Sequence, residues 1–236
     1  FSLSDGGYFR TVTMVYPERR NALSESMSEA IMAAIDGVAC RAVILRAQPG
    51  VSTWSAGHDV DDLPGPDVDP LTWVSPVERL IRVIRSAPFP VIAAVEGGAW
   101  GAACNLAFAC DLLIATRSAT FGVAQFLGAL PVNAAREMFF TARVLSADSP
   151  LLAGAINRVV ADSDSLTSAA SELADAIAAV APLSVRSIKA EINPVLDDDA
   201  SRQALADLRR MAWESNDFCE GPAAFRDRRA PEFEGR

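Results

Sequence analysis

Apolar and polar positions alternate from Tyr8 to Val15 as in a half-buried strand. The turn-rich Pro17-Glu-Arg-Arg-Asn21 then leads into an apolar rhythm of helical spacing that runs to Ala34. Ala42-Val-Ile-Leu-Arg46 is an apolar run of buried-strand length, and the stretch from Gly50 to Asp62 reads as a loop. Leu63 to Trp73 is rich in Pro, Gly and Asp, after which Val77 to Ile84 has helical spacing that Pro88 and Pro90 end. A second round follows: Pro90-Val-Ile-Ala-Ala-Val95 as a buried strand, Glu96 to Gly101 as a glycine-rich turn, Ala102 to Cys110 as a small-residue helix, then the strand Asp111 to Thr116. From Ala134 to Phe140, Ser165 to Val180, Leu183 to Glu191 and Asp199 to Met211 the pattern is helical, and Asp217 to Arg236 reads as a charged, aromatic tail. Strands first and helices last predict an α/β core with a helical C-terminal part.

A chain of 236 residues suits one core with an appended element, drawn here as 1–181 and 182–236. Lys and Arg total 21 against 30 Asp and Glu, and no basic stripe is present to neutralise a phosphate backbone, so nucleic acid is not an expected partner. An anionic ligand would need a local cluster of Arg and backbone N–H groups. Arg19, Arg20 and the C-terminal Arg run are the candidates, each otherwise a solvated surface charge. The apolar stretch from Val91 to Cys110 is interrupted by Glu96, glycines and Asn105, so no membrane span is expected. Cys40, Cys104, Cys110 and Cys219 form no CxxC pair and read as the reduced thiols of a cytoplasmic protein. With His58 as the single histidine, no imidazole cluster and hence no metal site is expected.

Two segments carry candidate chemistry. Ser55-Ala-Gly-His-Asp59 is either a tight turn with His58 on the surface or a functional loop. Glu96-Gly-Gly-Ala-Trp-Gly-Ala-Ala-Cys-Asn105 puts small residues where a strand turns into a helix: either close packing, or first-turn N–H groups aimed at an oxygen. Two such N–H sources, each after a buried strand, are the ingredients of an oxyanion hole for a thioester oxygen. A nucleophilic triad of Ser55, His58 and Asp59 is disfavoured, because residues so adjacent in one loop rarely converge in the needed geometry.

The ordered set Arg20-Asn-Ala-Leu23, Ser55-Ala-Gly-His-Asp59, Val95-Glu-Gly-Gly-Ala-Trp-Gly-Ala-Ala-Cys-Asn105, Cys110-Asp111, Thr120-Phe121-Gly122 and Glu220 to Phe233 resembles the crotonase (enoyl-CoA hydratase/isomerase) superfamily over nearly the whole chain. The resemblance implies a spiral of ββα units with C-terminal helices that trimerise, often into a hexamer. It implies that the substrate is an acyl-CoA, with no cofactor beyond that thioester. By position it makes the main-chain N–H groups of His58 and Ala102 the oxyanion hole and places Ala22, Ala56 and Asp59 along the CoA tunnel. Arg20, Leu23, Gly57, Val60, Trp100 and Gly101 flank those positions, and Phe225 and Arg228 sit where the tail approaches CoA, often across a subunit boundary.

The departures bear on mechanism. Where the superfamily's hydratases carry the first of two catalytic glutamates, this chain has Asn105, whose amide has no usable acid or base function near neutral pH. Trp54 to Pro64, Asp69-Pro-Leu71 and Glu96 to Gly101 look most like the superfamily's methylmalonyl-CoA-decarboxylating members, although these usually keep a carboxylate at the Asn105 position. Decarboxylation of a malonyl-type thioester leaves an enolate that an oxyanion hole stabilises without a general base. Hydration, isomerisation and CoA-ester binding without catalysis are the alternatives. Asn105 either orients the substrate carboxylate or satisfies a buried helix, and Trp54, Trp100 and Phe121 are either walls of an apolar pocket or core aromatics. Relative to the superfamily pattern, about a dozen loop residues are missing between Ala124 and Gln125, or in a rival alignment after Asn133, taking with them the expected proton donor.

Overall fold

The computed structural model describes residues 2–64, 74–122, 130, 132–193 and 199–236. A six-stranded sheet forms the floor, in the order β1 (Ser2–Gly6), β2 (Phe9–Met14), β3 (Ala42–Ala47), β5 (Val91–Val95), β7 (Leu112–Thr116) and β10 (Arg158–Val160). Only the β1–β2 hairpin is antiparallel. A second sheet holds four strands of three residues each: β4 (Thr53–Ser55), β6 (Gly98–Trp100), β8 (Thr120–Gly122) and β9 (Val144–Ser146). The chain repeats one cycle: a long strand in the floor, a short strand in the second sheet, then a helix. β3 and β4 precede α2 (Pro76–Ser86), β5 and β6 precede α3 (Ala102–Ala109), and β7 and β8 precede α4 (Val132–Thr141). These are the ββα units the resemblance implies.

The continuous apolar runs follow from burial on both faces, as parallel sheets require. Val43, Leu45, Val91, Ala93, Val95, Leu113 and Ala115 point into the main core under α1 (Glu25–Ile35), α2 and α3. The alternate residues Ala42, Ile44, Ile92, Ala94 and Ile114 face Leu166, Ala169, Ala170 and Ala174 of α5 (Ser163–Ala178). Each fully buried Val, Leu or Ile contributes about 1.5–3 kcal/mol relative to exposure. Ser24 and Ser75 cap α1 and α2, accepting from Met27 N at 3.1 Å and Glu78 N at 3.0 Å.

The structure adds to the sequence expectations or corrects them at four places. Glu96 to Gly101 contains the strand β6 and Gly50 to Asp62 contains β4, and both are too short to show an alternation. Residues before Tyr8 add β1 to the sheet edge. The tail from Asp217 is helical through α8 (Asn216–Asp227), and residues 228–236 are irregular. That end folds back: Asp217 accepts from Glu234 N and Gly235 N at 2.7 and 2.8 Å, and the Arg41 guanidinium donates to Phe233 O.

α6 (Pro182–Ile192) follows α5 and leads toward α7 (Asp199–Glu214). Lys189 of α6 is buried and donates to Ile84 O, Phe89 O and Asp111 Oδ2, each at 2.8 Å. Asp111 also accepts from Val91 N at 2.8 Å and from Asn193 Nδ2 at 3.0 Å. Ile188, Ile192, Met211, Trp213 and Phe218 leave an apolar surface exposed on the C-terminal helices. Among the described residues no single helix is long and apolar enough to cross a membrane.

Candidate active site

After β2 the chain reverses through Arg20 and Asn21, both in the left-handed region at φ 50° and 52°. Arg20 tolerates this as a short 3-10 cap whose N–H bonds Pro17 O, while Asn21 is among the residues best suited to that conformation. The buried Asn21 side chain accepts from Tyr16 N at 2.7 Å and donates to Trp54 O at 3.0 Å, tying the corner to β4. From the other side, Ala56 N donates to Arg20 O at 3.0 Å, Leu23 N donates to Gly57 O at 2.7 Å, and Leu23 and His58 form a parallel bridge. Ser55 Oγ donates to Asn21 O at 2.7 Å and accepts from Gly57 N at 3.2 Å. Its proton is thus committed to the corner and not to an imidazole.

Gly57 brings the second loop in. At φ +89° it occupies a glycine conformation, and a Cβ there would lie 2.5 Å from Trp100 O and 3.2 Å from Ala102 N. The loop bearing His58 and the turn bearing Ala102 therefore touch main chain to main chain. Gly101, at φ 53°, makes the turn from β6, and Ala102 opens α3. The first N–H of a helix has no acceptor within it, so the Ala102 donor points out of the helix start. Along α3 every residue is buried except Asn105, one turn beyond Ala102. The amide thus lies on the side of the helix left open.

The Asp59 carboxylate is buried, accepts from Asp61 N at 3.2 Å, and stands 3.7 Å from the Arg19 guanidinium. Arg19 also pairs with Asp61, which holds its pKa above the ordinary value through that hydrogen bond. Arg19, a candidate for an anionic ligand, is in this way engaged by the loop itself. Burial lowers the pKa of the half-buried His58 imidazole below 6.5, opposed by the charge of Glu78, so the ring is neutral at pH 7. Burial pushes the thiols of Cys104 and Cys110 far above their usual range, which removes both as nucleophiles.

Most of the expected residues gather here. Ala22, Ala56, Gly57, His58, Asp59, Trp100, Gly101, Ala102 and Asn105 line or back one corner. Leu23 departs from its expected role at the ligand: its side chain is 1 % exposed in the core, so only its main chain serves the corner. Arg20 and Val60 point to solvent beside it. Arg228 follows α8 in the left-handed region, exposed, and no described hydrogen bond or ion pair joins it to the corner. Phe225 lies in α8 with its side chain outside the described ones. The expected break at 124/125 and the loop that follows lie outside the described residues, and positions 133 and 134 of the rival placement lie within α4. Asn21, Ser55 and Gly122, which the motifs contain without an expected role at the ligand, hold the corner together. A polar residue able to adopt the left-handed region, next to the Arg pair, was the available signal for Asn21.

Residues 9–236 match the family described as enoyl-CoA hydratase/isomerase. The chain is 31% identical over 243 residues to a methylmalonyl-CoA decarboxylase of Escherichia coli, covering 93% of this chain and 92% of that one. It is 33% identical over 253 residues to the mouse mitochondrial enoyl-CoA hydratase domain-containing protein 2, covering 95% and 84%. That alignment is longer than the chain's 236 residues and so opens gaps on this chain's side. Among solved structures, a methylmalonyl-CoA decarboxylase complexed with 2S-carboxypropyl CoA superposes with a TM-score of 0.76 at 28% identity, covering 100% of this chain and 98% of that one. An enoyl-CoA hydratase subunit from Geobacillus kaustophilus superposes with a TM-score of 0.83, at the same identity and coverage. Backbone likeness leans to the hydratase, so the chemistry has to be argued from the residues in the corner.

Proposed function

The chain belongs to the enoyl-CoA hydratase/isomerase (crotonase) family, and from that premise we propose that it decarboxylates a malonyl-CoA or methylmalonyl-CoA type thioester. The observation that carries the reading is the contact of Gly57 with the Trp100–Ala102 turn, beside an amide at Asn105. It supports two main-chain donors, His58 N and Ala102 N, acting on one thioester oxygen. The C–C bond to the carboxylate breaks, its electron pair forms the enolate, and the charge that develops on the thioester oxygen meets both donors. CO2 leaves, and Cα takes up a proton from water, leaving hydroxide to the solvent. The route requires no general base, which suits Asn105. No cofactor beyond the CoA thioester enters this scheme.

The exposed apolar side chains of α6 to α8 support a trimer-based assembly as part of the same proposal. Hydration or isomerisation is the second reading, favoured by the greater backbone likeness to a hydratase. Incubating the protein with malonyl-, methylmalonyl- and crotonyl-CoA and following products by mass spectrometry separates the cases. Loss of CO2 is the expected result; water addition to crotonyl-CoA supports the second reading, and absence of turnover with intact binding leaves a CoA-ester-binding protein.

A further inference from the structure

Trp100 stands two residues before the Ala102 donor, and its indole is seated in a cradle that exists only because two residues lack side chains. On β6, Gly98 and Trp100 share one face while Ala99 points into the core, and on the neighbouring β8 Gly122 pairs with Trp100 while Phe121 points into the core. A Cβ on Gly98 would stand 2.4 Å from Trp100 Nε1, and one on Gly122 would stand 2.8 Å from Trp100 Cε3. Neither glycine has a positive φ. Backbone conformation therefore does not demand glycine at either position; the room for the indole does. The ring spans both strands up to the point where β6 ends, and there Gly101 N donates to Gly122 O at 2.9 Å. The Trp100 carbonyl is the atom that a Cβ on Gly57 would strike. One residue thus fixes the strand pair with its side chain and meets the opposite donor loop with its main chain.

We propose that Trp100 is a positioning residue for the oxyanion hole: by filling the face left bare by Gly98 and Gly122, its indole holds the Trp100–Gly101–Ala102 turn so that the Ala102 N–H meets the thioester oxygen. The inference rests on the oxyanion reading above and adds the side chain on which that donor's aim depends. It makes the effect of Trp100 specific to the carbonyl oxygen of the ligand, which a wall of the acyl pocket or a core aromatic is not.

The test compares binding of propionyl-CoA with that of S-propyl-CoA, the thioether that lacks the carbonyl, by calorimetry. Wild type is expected to prefer the thioester. In Trp100→Ala that preference, the ratio of the two affinities, should fall about tenfold, the equivalent of one well-aimed hydrogen bond, beyond any loss that both ligands share. Gly98→Ala keeps Trp100 but displaces its ring and should give the same loss, and Trp100→Phe should retain part of the preference, so the answer does not depend on one variant folding. An unchanged preference in the folded variants, or an equal loss for both ligands, overturns the inference. A wild type with no preference for the thioester overturns the oxyanion reading itself, which is a different outcome.

Discussion

The corner around Ala102 and the junction of α6 with the core are both dense in hydrogen bonds, but they are made of different material. At the corner the bonds run from main chain to main chain, or from short side chains to main chain: Ala56 to Arg20, Leu23 to Gly57, Ser55 to Asn21. At the junction one ammonium and one carboxylate do the holding. Lys189 places all three of its donors on Ile84 O, Phe89 O and Asp111, and burial lowers its pKa, opposed by the charge of Asp111. A site built from main chain tolerates new side chains but not a lost N–H or an added Cβ. A junction built from two side chains behaves in the opposite way.

The largest effect is expected where that rule is broken at the corner. Ala102→Pro removes the donor yet keeps the helix, because proline is accepted at the first helical position. Turnover should drop by about 10²- to 10³-fold while the melting temperature changes little. A variant that keeps near-normal kcat removes Ala102 from the mechanism.

At the junction the expected change is in stability. Lys189→Met leaves the Asp111 carboxylate without its ammonium in a place where water scarcely reaches, at a cost of about 3–5 kcal/mol. Urea unfolding measures this directly, and a loss below about 1 kcal/mol means the pair is not holding α6.

The smallest effect is predicted at His58, the most conspicuous side chain of the corner. His58→Ala should keep kcat within about tenfold, since the residue acts through its main chain. Its folded pKa lies below 6.5, so its contribution to stability is complete above pH 6.5 and is lost as the pH falls through that value toward the folded pKa. The alanine variant should therefore lose less stability than wild type between pH 7 and pH 5. A collapse of kcat in the folded variant gives the imidazole a chemical role instead.

The contrast between the two regions also explains what the sequence revealed. The corner was legible because its parts are local: a turn-rich stretch after a strand, a small-residue loop, a glycine-rich turn into a helix. The long strands were legible because double burial makes each an unbroken apolar run. The second sheet was not, because three residues such as Gly98–Trp100 carry no period, and their burial comes from pairing with β8 and joining the main core through Ala99 and Phe121. Nor was the junction: Lys189 and Asp111 are 78 residues apart, and a lysine within a helical pattern reads as a surface charge. The cradle of Trp100 needed coordinates for the same reason, since Gly98 and Gly122 become neighbours of one ring only when β6 and β8 pair.

The most direct test of the account is a crystal structure with propionyl-CoA bound. The thioester oxygen is predicted to lie within about 3 Å of both His58 N and Ala102 N, the distance of a formed hydrogen bond. A thioester oxygen directed away from those two atoms, with CoA otherwise ordered, contradicts it.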